Sequence, residues 1–348
     1  MGGGSRGPQG ARLSVVRRQS GVLAVWLLVL VVGCGQAAQP GPAGATAPPV
    51  RITVSYSNQI TDFLPLWIAR EARIFPRHGL EVDPQLITSS NGIPALLSGQ
   101  TQVAHEGGSE TLSAAAEGAD LVVIGTLTPV YPFRFYVPPD VKSAADLKGK
   151  KVGVNTIGAT ADIATRVVLR GLGLEPDKDV TIVQVGSTPN RVAAMLSGAI
   201  QGSVNSPPDT LILEAKGFHP LMDLAQRKLP SANATMITRR SYLASNRPQV
   251  QRYVDSIVEA IAREKKDRAF AISVLKKYLK KDDDDALGAA YDFYSQEVLP
   301  SLPYPKPEQF ADAQQVLGTK SKKVHDYQVA TLLDPSLVKS SEDRRVGQ

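Results

Sequence analysis

Small polar residues recur where an apolar, strand-like run gives way to a helical pattern. Hydroxyl and amide side chains beside free helix N–H groups can hold a small polar or anionic molecule. In the first half of the chain the residues of this kind are Asn58, Ser89, Ser90, Asn91, Gly107, Gly108 and Ser109. In the second half they are Thr156, Gly158, Ala159, Thr160, Asn205, Ser206 and Pro207. We interpret these positions as candidate ligand-binding residues.

Each of these residues also has a simpler interpretation. Ser, Thr and Asn are the usual residues at a helix N-terminus, where a side-chain oxygen accepts a backbone N–H. For any single residue, this capping role explains the residue type equally well. The binding hypothesis depends on the doubled placement, because the same residue types stand at equivalent points in two halves of the chain.

The chain contains one module twice. Residues 51–137 align without a gap onto residues 150–236, at a constant offset of 99. Between 91 and 118, ten of 28 positions are identical to their counterparts, where average composition gives roughly two. A period near 100 is too long for solenoid repeats of about 20 to 50 residues. The repeat therefore predicts two similar lobes with one cleft between them.

Strand-like and helical patterns alternate within each copy, which predicts α/β lobes whose mainly parallel sheets are flanked by helices. In such sheets a ligand lies beyond the carboxyl ends of the strands, where the polar residues stand. After residue 238 the pattern is helical only, and it predicts helices near 239–245, 249–267, 268–281, 284–298 and 307–317. The polar segment 336–348 is predicted to be a frayed tail.

The first 49 residues have the composition of an export signal and a tether. Four Arg precede the apolar run Gly21–Val32, which is too short to span a bilayer. The run ends at Cys34, the only cysteine of the chain. Residues 1–33 therefore resemble a lipoprotein signal peptide with Cys34 as the lipidated residue, and 34–49 a flexible tether. An ordinary secretory signal with an idle thiol is the alternative.

Without residues 1–33, the chain keeps 35 of its 39 Lys and Arg against 33 Asp and Glu. This near balance gives no basis for a nucleic-acid role, which requires a basic stripe on the folded domain. The charged run Lys276–Asp285 is interpreted as a solvated face at a helix junction.

Several segments, in their order along residues 50–300, resemble the solute-binding proteins of ABC importers. They are Leu97-Ser98-Gly99, its copy Leu196-Ser197-Gly198, the run Ala145–Val154, and Gly158-Ala159-Thr160. The similar branch serves nitrate, sulfonates, taurine and the thiamine pyrimidine precursor. The resemblance implies a monomeric, lipid-anchored extracytoplasmic receptor that delivers a small molecule to an importer permease, without a cofactor.

The same resemblance implies a type II two-lobe fold in which the chain crosses twice between lobes. The expected crossings lie near Tyr136–Pro139 and Ala234–Thr238. Lobe one would comprise 50–137 and 238–335, lobe two 138–237, and the C-terminal helices would pack on lobe one.

Larger side chains near the predicted cleft add further candidates. Phe63, Tyr131 and Phe133 could form apolar walls for an aromatic ligand, although a core position is the commoner fate of such residues. Arg134 and Arg191 could pair with an anion, although most Arg side chains are exposed.

Two other classes of function remain open. Enzymes that make the thiamine pyrimidine share the lobes but carry a cysteine-rich segment, whereas no cysteine follows Cys34 here. The pair His105-Glu106 could serve acid–base or metal chemistry, yet a zinc site requires three or four clustered ligands. A lipoprotein sensor or scaffold that binds a protein in its cleft is the third possibility.

Overall fold

A computed structural model describes residues 48–348. The predicted signal peptide, Cys34 and nearly all of the tether lie outside the described residues. No helix within 48–348 has the length and apolar character needed to cross a membrane.

Ten strands lie within the described residues. They are β1 (Val50–Tyr56), β2 (Leu80–Leu86), β3 (Val103–Glu106), β4 (Val122–Val130), β5 (Arg134–Val137), β6 (Lys151–Val154), β7 (Thr181–Gln184), β8 (Gly202–Asn205), β9 (His219–Asp223) and β10 (Pro230–Thr238).

Thirteen α-helices accompany these strands between residues 48 and 348. They are α1 (Leu64–Glu71), α2 (Ile74–Arg77), α3 (Ser89–Leu97), α4 (Gly108–Ala116), α5 (Thr160–Gly171), α6 (Thr188–Leu196), α7 (Thr210–Glu214), α8 (Arg240–Lys266), α9 (Arg268–Leu279), α10 (Asp284–Tyr291), α11 (Ala311–Gly318), α12 (Lys322–His325) and α13 (Ser336–Asp343). Short 3-10 turns occupy Thr61–Phe63, Ala144–Leu147, Pro307–Phe310 and Val329–Leu332, and a π-helical segment occupies Asp292–Val298.

The strands form two five-stranded sheets of the same design. Their orders are β2-β1-β3-β10-β4 and β7-β6-β8-β5-β9. In each sheet four strands run in one direction, and the fourth strand in the order, β10 or β5, runs against both of its neighbours. The predicted α/β fold with mainly parallel sheets is confirmed.

The sequence repeat is visible in the boundaries of the elements. Helix α6 begins and ends 99 residues after α3, and strand β8 begins and ends 99 residues after β3. Equal spacing follows from equal packing, because each helix must cover the same face of its own sheet. The internal repeat is therefore a structural repeat of strand, helix, strand.

The chain changes sheets at other points than the resemblance implied. Strand β5 pairs with β8 and β9 of the second sheet, so the first crossing falls between Val130 and Arg134, before Tyr136–Pro139. The whole of β10 pairs with β3 and β4 of the first sheet. The return crossing therefore falls between Asp223 and Pro230, ahead of Ala234–Thr238. Hydrogen-bond partners decide sheet membership, and one sequence does not reveal them.

The C-terminal helices pack on the first sheet, as predicted. Tyr253, Ile257 and Leu275, from α8 and α9, share one buried cluster with Ile52 and Val54 of β1. Trp67 of α1 stacks on Tyr278 of α9, with ring centroids 4.8 Å apart.

The C-terminal segment is an ordered helix, which corrects the prediction of a frayed tail at 336–348. Helix α13 buries Leu337 and Val338 completely. Asp255 of α8 accepts hydrogen bonds from Ser341 Oγ at 2.6 Å and from both terminal nitrogens of Arg344, at 2.8 and 2.7 Å. The segment contains only three large apolar residues among polar ones, so its composition concealed the single face that docks.

The tail can be tested by removing its largest buried side chain. Leu337→Ala should lower the free energy of unfolding by about 2–5 kcal/mol, because the fully buried leucine leaves a cavity. Thermal denaturation should show a melting temperature several degrees lower. Lys339→Ala, at an exposed position of the same helix, should change it by less than a degree or two. Equal effects of the two substitutions would contradict the docked helix.

Candidate functional site

Two helix N-termini meet across the junction of the two sheets. Helix α4 follows β3 of the first sheet and carries Ser109 in its first turn, and α5 follows β6 of the second sheet and begins at Thr160. The hydroxyl oxygens of Ser109 and Thr160 lie 3.3 Å apart. Both residues were predicted from sequence, and the structure brings them into contact.

A small pocket, with room for about one water molecule and partly open to solvent, lies beside this contact. It is lined by residues of both lobes and of the C-terminal region, including Ser109, Thr160, Tyr131, Ser231 and Phe310. Gly108 allows the start of α4 to pack closely against β10, since a Cβ at this position would lie 2.3 Å from the Cβ of Ala232. A larger residue at 108 would push the helix away from the strand that returns from the second sheet.

A second contact across the junction involves the predicted residue Ser206. The hydroxyl groups of Ser206 and Tyr294 lie 3.0 Å apart, with Tyr294 in the π-helical segment after α10. On the first sheet's side, Asp62 Oδ1 accepts hydrogen bonds from Thr128 Oγ1 at 2.8 Å and Asn233 Nδ2 at 2.7 Å. Pro207 is buried beside Ser206.

A third contact is an ion pair. Lys281 Nζ lies 2.7 Å from Asp209 Oδ1, which joins the segment after α9 to the loop before α7 of the second lobe. Lys281 belongs to the charged run interpreted from sequence as a solvated face. The structure corrects that interpretation for Lys281, because its side chain is only 35% exposed.

The other predicted site residues divide into exposed and buried groups. The side chains of Asn58, Ser90, Asn91 and Thr156 are exposed. Ser89 is the first residue of α3. Gly107 precedes α4, and its carbonyl accepts the Thr111 hydroxyl at 2.8 Å. Ala159 precedes α5 and is buried, and Gly158 N–H donates to Asp162 Oδ2 at 2.8 Å.

The aromatic candidates lie in the core. Phe63 is 2% exposed and packs edge-on against Tyr56 and His105. Tyr131 is also 2% exposed, although it contributes to the wall of the small pocket. Phe133 is partly buried against the second core cluster.

Both candidate anion partners are already used by the protein. Arg191 is buried and donates to Ser203 Oγ at 3.1 Å, to the Gly186 carbonyl at 2.9 Å and to Thr188 Oγ1 at 3.1 Å. Arg134 donates to Asp223 Oδ2 at 2.8 Å and lies over the ring of Phe293. The hypothesis that these two guanidinium groups bind an anion loses its geometric support.

His105 and Glu106 are consecutive residues of β3 and point to opposite faces of the sheet. His105 Nε2 and Tyr253 OH lie 2.6 Å apart, and burial lowers the pKa of His105 to about 3. The imidazole is therefore neutral and fixed in the core. The two side chains do not form the pair that an acid–base mechanism would use.

Glu106, at the end of β3, is a buried carboxyl without a hydrogen-bond partner in the described part of the chain. It is 0% exposed, and neither carboxyl oxygen has a hydrogen-bond partner among the described residues. Its carboxyl fills the space at Gly92 in the first turn of α3, where a Cβ would lie 1.6 Å from Glu106 Oε1. Burial and the neighbouring Glu110 raise the pKa of Glu106 to about 9.

Glu110 connects this carboxyl to the contact between the lobes. Its Oε2 accepts the Ser109 hydroxyl at 2.7 Å, and burial raises its pKa. Sequence reasoning missed Glu110 and assigned Glu106 only a doubtful catalytic role. The sequence repeat could have pointed to both residues, because the offset of 99 aligns Glu106 with the candidate Asn205 and Glu110 with Asp209.

The profile of the family described as NMT1/THI5 like matches residues 60–266, more than half of the chain. The chain belongs to the NMT1/THI5-like family. Among curated proteins, this family member is 28% identical over 252 residues to a Brucella abortus protein named "putative binding protein". That alignment covers 69% of this chain and 75% of the relative.

Solved structures show the fold of this NMT1/THI5-like protein. The periplasmic aliphatic sulphonate binding protein SsuA of Escherichia coli superposes with a TM-score of 0.66 at 21% identity, over 79% of this chain and 88% of SsuA. The desulfurization enzyme DszB superposes with a TM-score of 0.62 at 20% identity, over 85% of this chain and all of DszB. The chain therefore has the two-lobe fold of periplasmic binding proteins, which some enzymes share.

The raised pKa of Glu106 predicts a pH-dependent stability difference. Unfolded Glu ionises near pH 4.5, whereas folded Glu106 holds its proton to about pH 9. Between these values the folded state binds the extra proton, so Glu106 destabilises the protein increasingly as pH rises. The advantage of Glu106→Gln over the natural protein should grow from pH 5 to pH 8, by up to about 1.4 kcal/mol per pH unit.

Melting temperatures at pH 5, 6.5 and 8 measure this difference. Comparison with the natural protein removes the contributions of groups that the substitution does not affect. Glu117→Gln, at the exposed far end of α4, should show no such trend. A pH-independent effect of Glu106→Gln would contradict the buried, protonated carboxyl.

Proposed function

We propose that this protein is an extracytoplasmic receptor that captures a small molecule between its two lobes and delivers it to an ABC importer. The observation that carries the proposal is the contact between Ser109 and Thr160, 3.3 Å apart. Two helix N-termini on different sheets converge there, beside a pocket that both lobes line. A molecule held at this point touches both lobes at once.

A ligand that touches both lobes acts as the switch of such a receptor. It stabilises the closed arrangement because it makes contacts there that the separated lobes cannot offer together. The contacts Tyr294–Ser206 and Lys281–Asp209 also join the two lobes in the closed arrangement. A transporter that recognises only the closed arrangement would then receive loaded receptors.

The relatives support a binding role. The Brucella abortus relative is named as a binding protein and SsuA as a periplasmic sulphonate-binding protein. Delivery to a permease, location outside the cytoplasmic membrane and attachment through lipidated Cys34 extend this role to the present chain. They rest on the signal-like composition of residues 1–33 and on the fold.

An enzymatic function is the second candidate, because DszB has the same fold. The buried carboxyl of Glu106 is the group that an acid–base mechanism would employ. Two observations weigh against it. Residues 48–348 contain no cysteine that could act as a nucleophile. His105 is held neutral against Tyr253, so it does not act as a base beside Glu106.

The first test is a thermal-shift screen of the purified protein against sulfonates, carboxylates, nitrate, amines and aminoheterocycles. A ligand that binds only the folded state raises the melting temperature by mass action. We expect one chemical class to give a saturable shift of several degrees. Small-angle X-ray scattering should show a smaller radius of gyration with the ligand that gives the shift. Turnover of that ligand, followed by mass spectrometry, would favour the enzyme instead.

The contact between the lobes provides a matched pair of variants. Thr160→Val removes the hydroxyl that meets Ser109 at nearly constant volume, and the loss of this interaction should weaken ligand binding about 3- to 10-fold. Thr181→Val changes an exposed threonine at the start of β7 in the same lobe and should leave affinity within twofold. Titration calorimetry with the ligand from the screen measures both. Equal affinities for the two variants would place the ligand elsewhere.

A further inference from the structure

The last residues of β3 and β8 are equivalent in the two lobes. Glu106 ends β3 and Asn205 ends β8, 99 residues apart. Both side chains are 0% exposed, and Asn205 Oδ1, like both Glu106 oxygens, has no hydrogen-bond partner among the described residues. Each lobe thus places an unused hydrogen-bond acceptor at the carboxyl end of the same central strand, where ligands of such sheets bind.

A third acceptor stands nearby in the second lobe. Asn155 directly follows β6, the neighbour of β8, and its Oδ1 is buried without a partner among residues 48–348. The amide nitrogen of Asn205 is occupied, since it donates to the Ser203 carbonyl at 3.2 Å. A buried acceptor left unpaired costs about 1–3 kcal/mol, so three of them at strand ends need a donor.

The Arg and Lys side chains near these strand ends already have other hydrogen-bond or ion-pair partners. Arg191 and Arg134 are bonded within the second lobe, and Lys281 is paired with Asp209. Among the described residues, no Lys or Arg forms an ion pair with Glu106 or Glu110. The strand ends therefore combine negative or neutral acceptors with no available cation, which is the reverse of an anion site.

We propose that Glu106 and Asn205 bind the N–H groups of a small cationic ligand, such as a protonated amine or amidine, with Glu110 as the supporting charge. This assignment rests on the receptor function proposed above and names its ligand class. Glu106 would accept from the cation on the side of the first lobe, and Asn205 Oδ1 from another N–H on the side of the second. Separation of the lobes admits the ligand, and closure buries the ion pair.

The proposal includes a proton transfer that can be measured. Glu106 holds a proton at neutral pH because burial and Glu110 raise its pKa to about 9. A cation that pairs with the carboxylate displaces this proton to the buffer, so binding releases one proton for each ligand. Of the elements against Glu106, α3 and β10 carry no titratable residue, and α4 contributes Glu110. Strand β1 carries Arg51, which pairs with Glu81 at the far end of the strand, and Tyr56, which lies opposite His105.

The experiment uses probes of one shape and different charge: benzamidinium, benzamide and benzoate, together with matched ammonium and carboxylate pairs of smaller size. We expect binders only among the cations. Titration calorimetry at pH 7 in phosphate and Tris should give enthalpies that differ by the release of about one proton. Affinity should rise with pH between 6 and 8, by up to tenfold per unit for a ligand that stays charged.

Glu106→Gln separates a binding role from a structural one. The substitution should weaken cation binding about 10- to 100-fold and abolish proton release, while it raises the melting temperature at pH 8. Asn205→Ala should weaken binding without abolishing proton release. Glu117→Gln should match the natural protein in both. If Glu106 had a purely structural role, Glu106→Gln would lower the melting temperature and leave the affinity ratio between cation and neutral analogue unchanged.

The outcomes distinguish this proposal from the receptor function. An anionic binder, a neutral analogue that binds as tightly as the cation, or a cation that binds Glu106→Gln unchanged would overturn the ligand class and leave the receptor intact. The absence of any binder among cations and anions would count against the receptor function itself, and the ligand class would fall with it.

Discussion

The exchange of one strand between the two sheets is the constraint on which the structure depends. Strand β5 follows β4 directly, yet it completes the second sheet, and β10 returns from β9 to complete the first. Each sheet therefore lacks its antiparallel strand until the chain of the other lobe supplies it. Neither sheet is complete without both crossings, and the two crossings set where the lobes face each other.

This exchange explains why the site forms where it does. Parallel strands end at one edge of a sheet, and the helices that follow present free N–H groups there. Since the crossings join the sheets, the starts of α4 and α5 come within one hydrogen bond of each other at Ser109 and Thr160. The cluster that includes Leu112, Phe135, Ala161 and Phe310 is continuous across the junction, so apolar packing also holds the two lobes together.

The electrostatics of the junction follow from the same arrangement. Lobe two places Arg191 where lobe one has Gly92, at the offset of 99. The guanidinium of Arg191 is hydrogen-bonded within its own lobe, whereas the space at Gly92 is filled by the carboxyl of Glu106. Two copies of one module therefore present different surfaces to the cleft. A duplicated module can bind an asymmetric ligand because single substitutions of this kind alter one wall at a time.

The sequence by itself determined the repeat, the α/β class, the helical C-terminal region and the loops that hold Ser109 and Thr160. These are local or periodic properties, and a residue pattern records them directly. The tertiary structure alone decided the two crossings, the docking of α13, the internal bonding of Arg134 and Arg191, and the burial of Glu106 without a partner. Each of these depends on which distant groups meet, for example Asp255 with Arg344, 89 residues apart. Side-chain chemistry is written in the sequence, but whether a charge is solvated, paired or left alone is set only when the chain has folded around it.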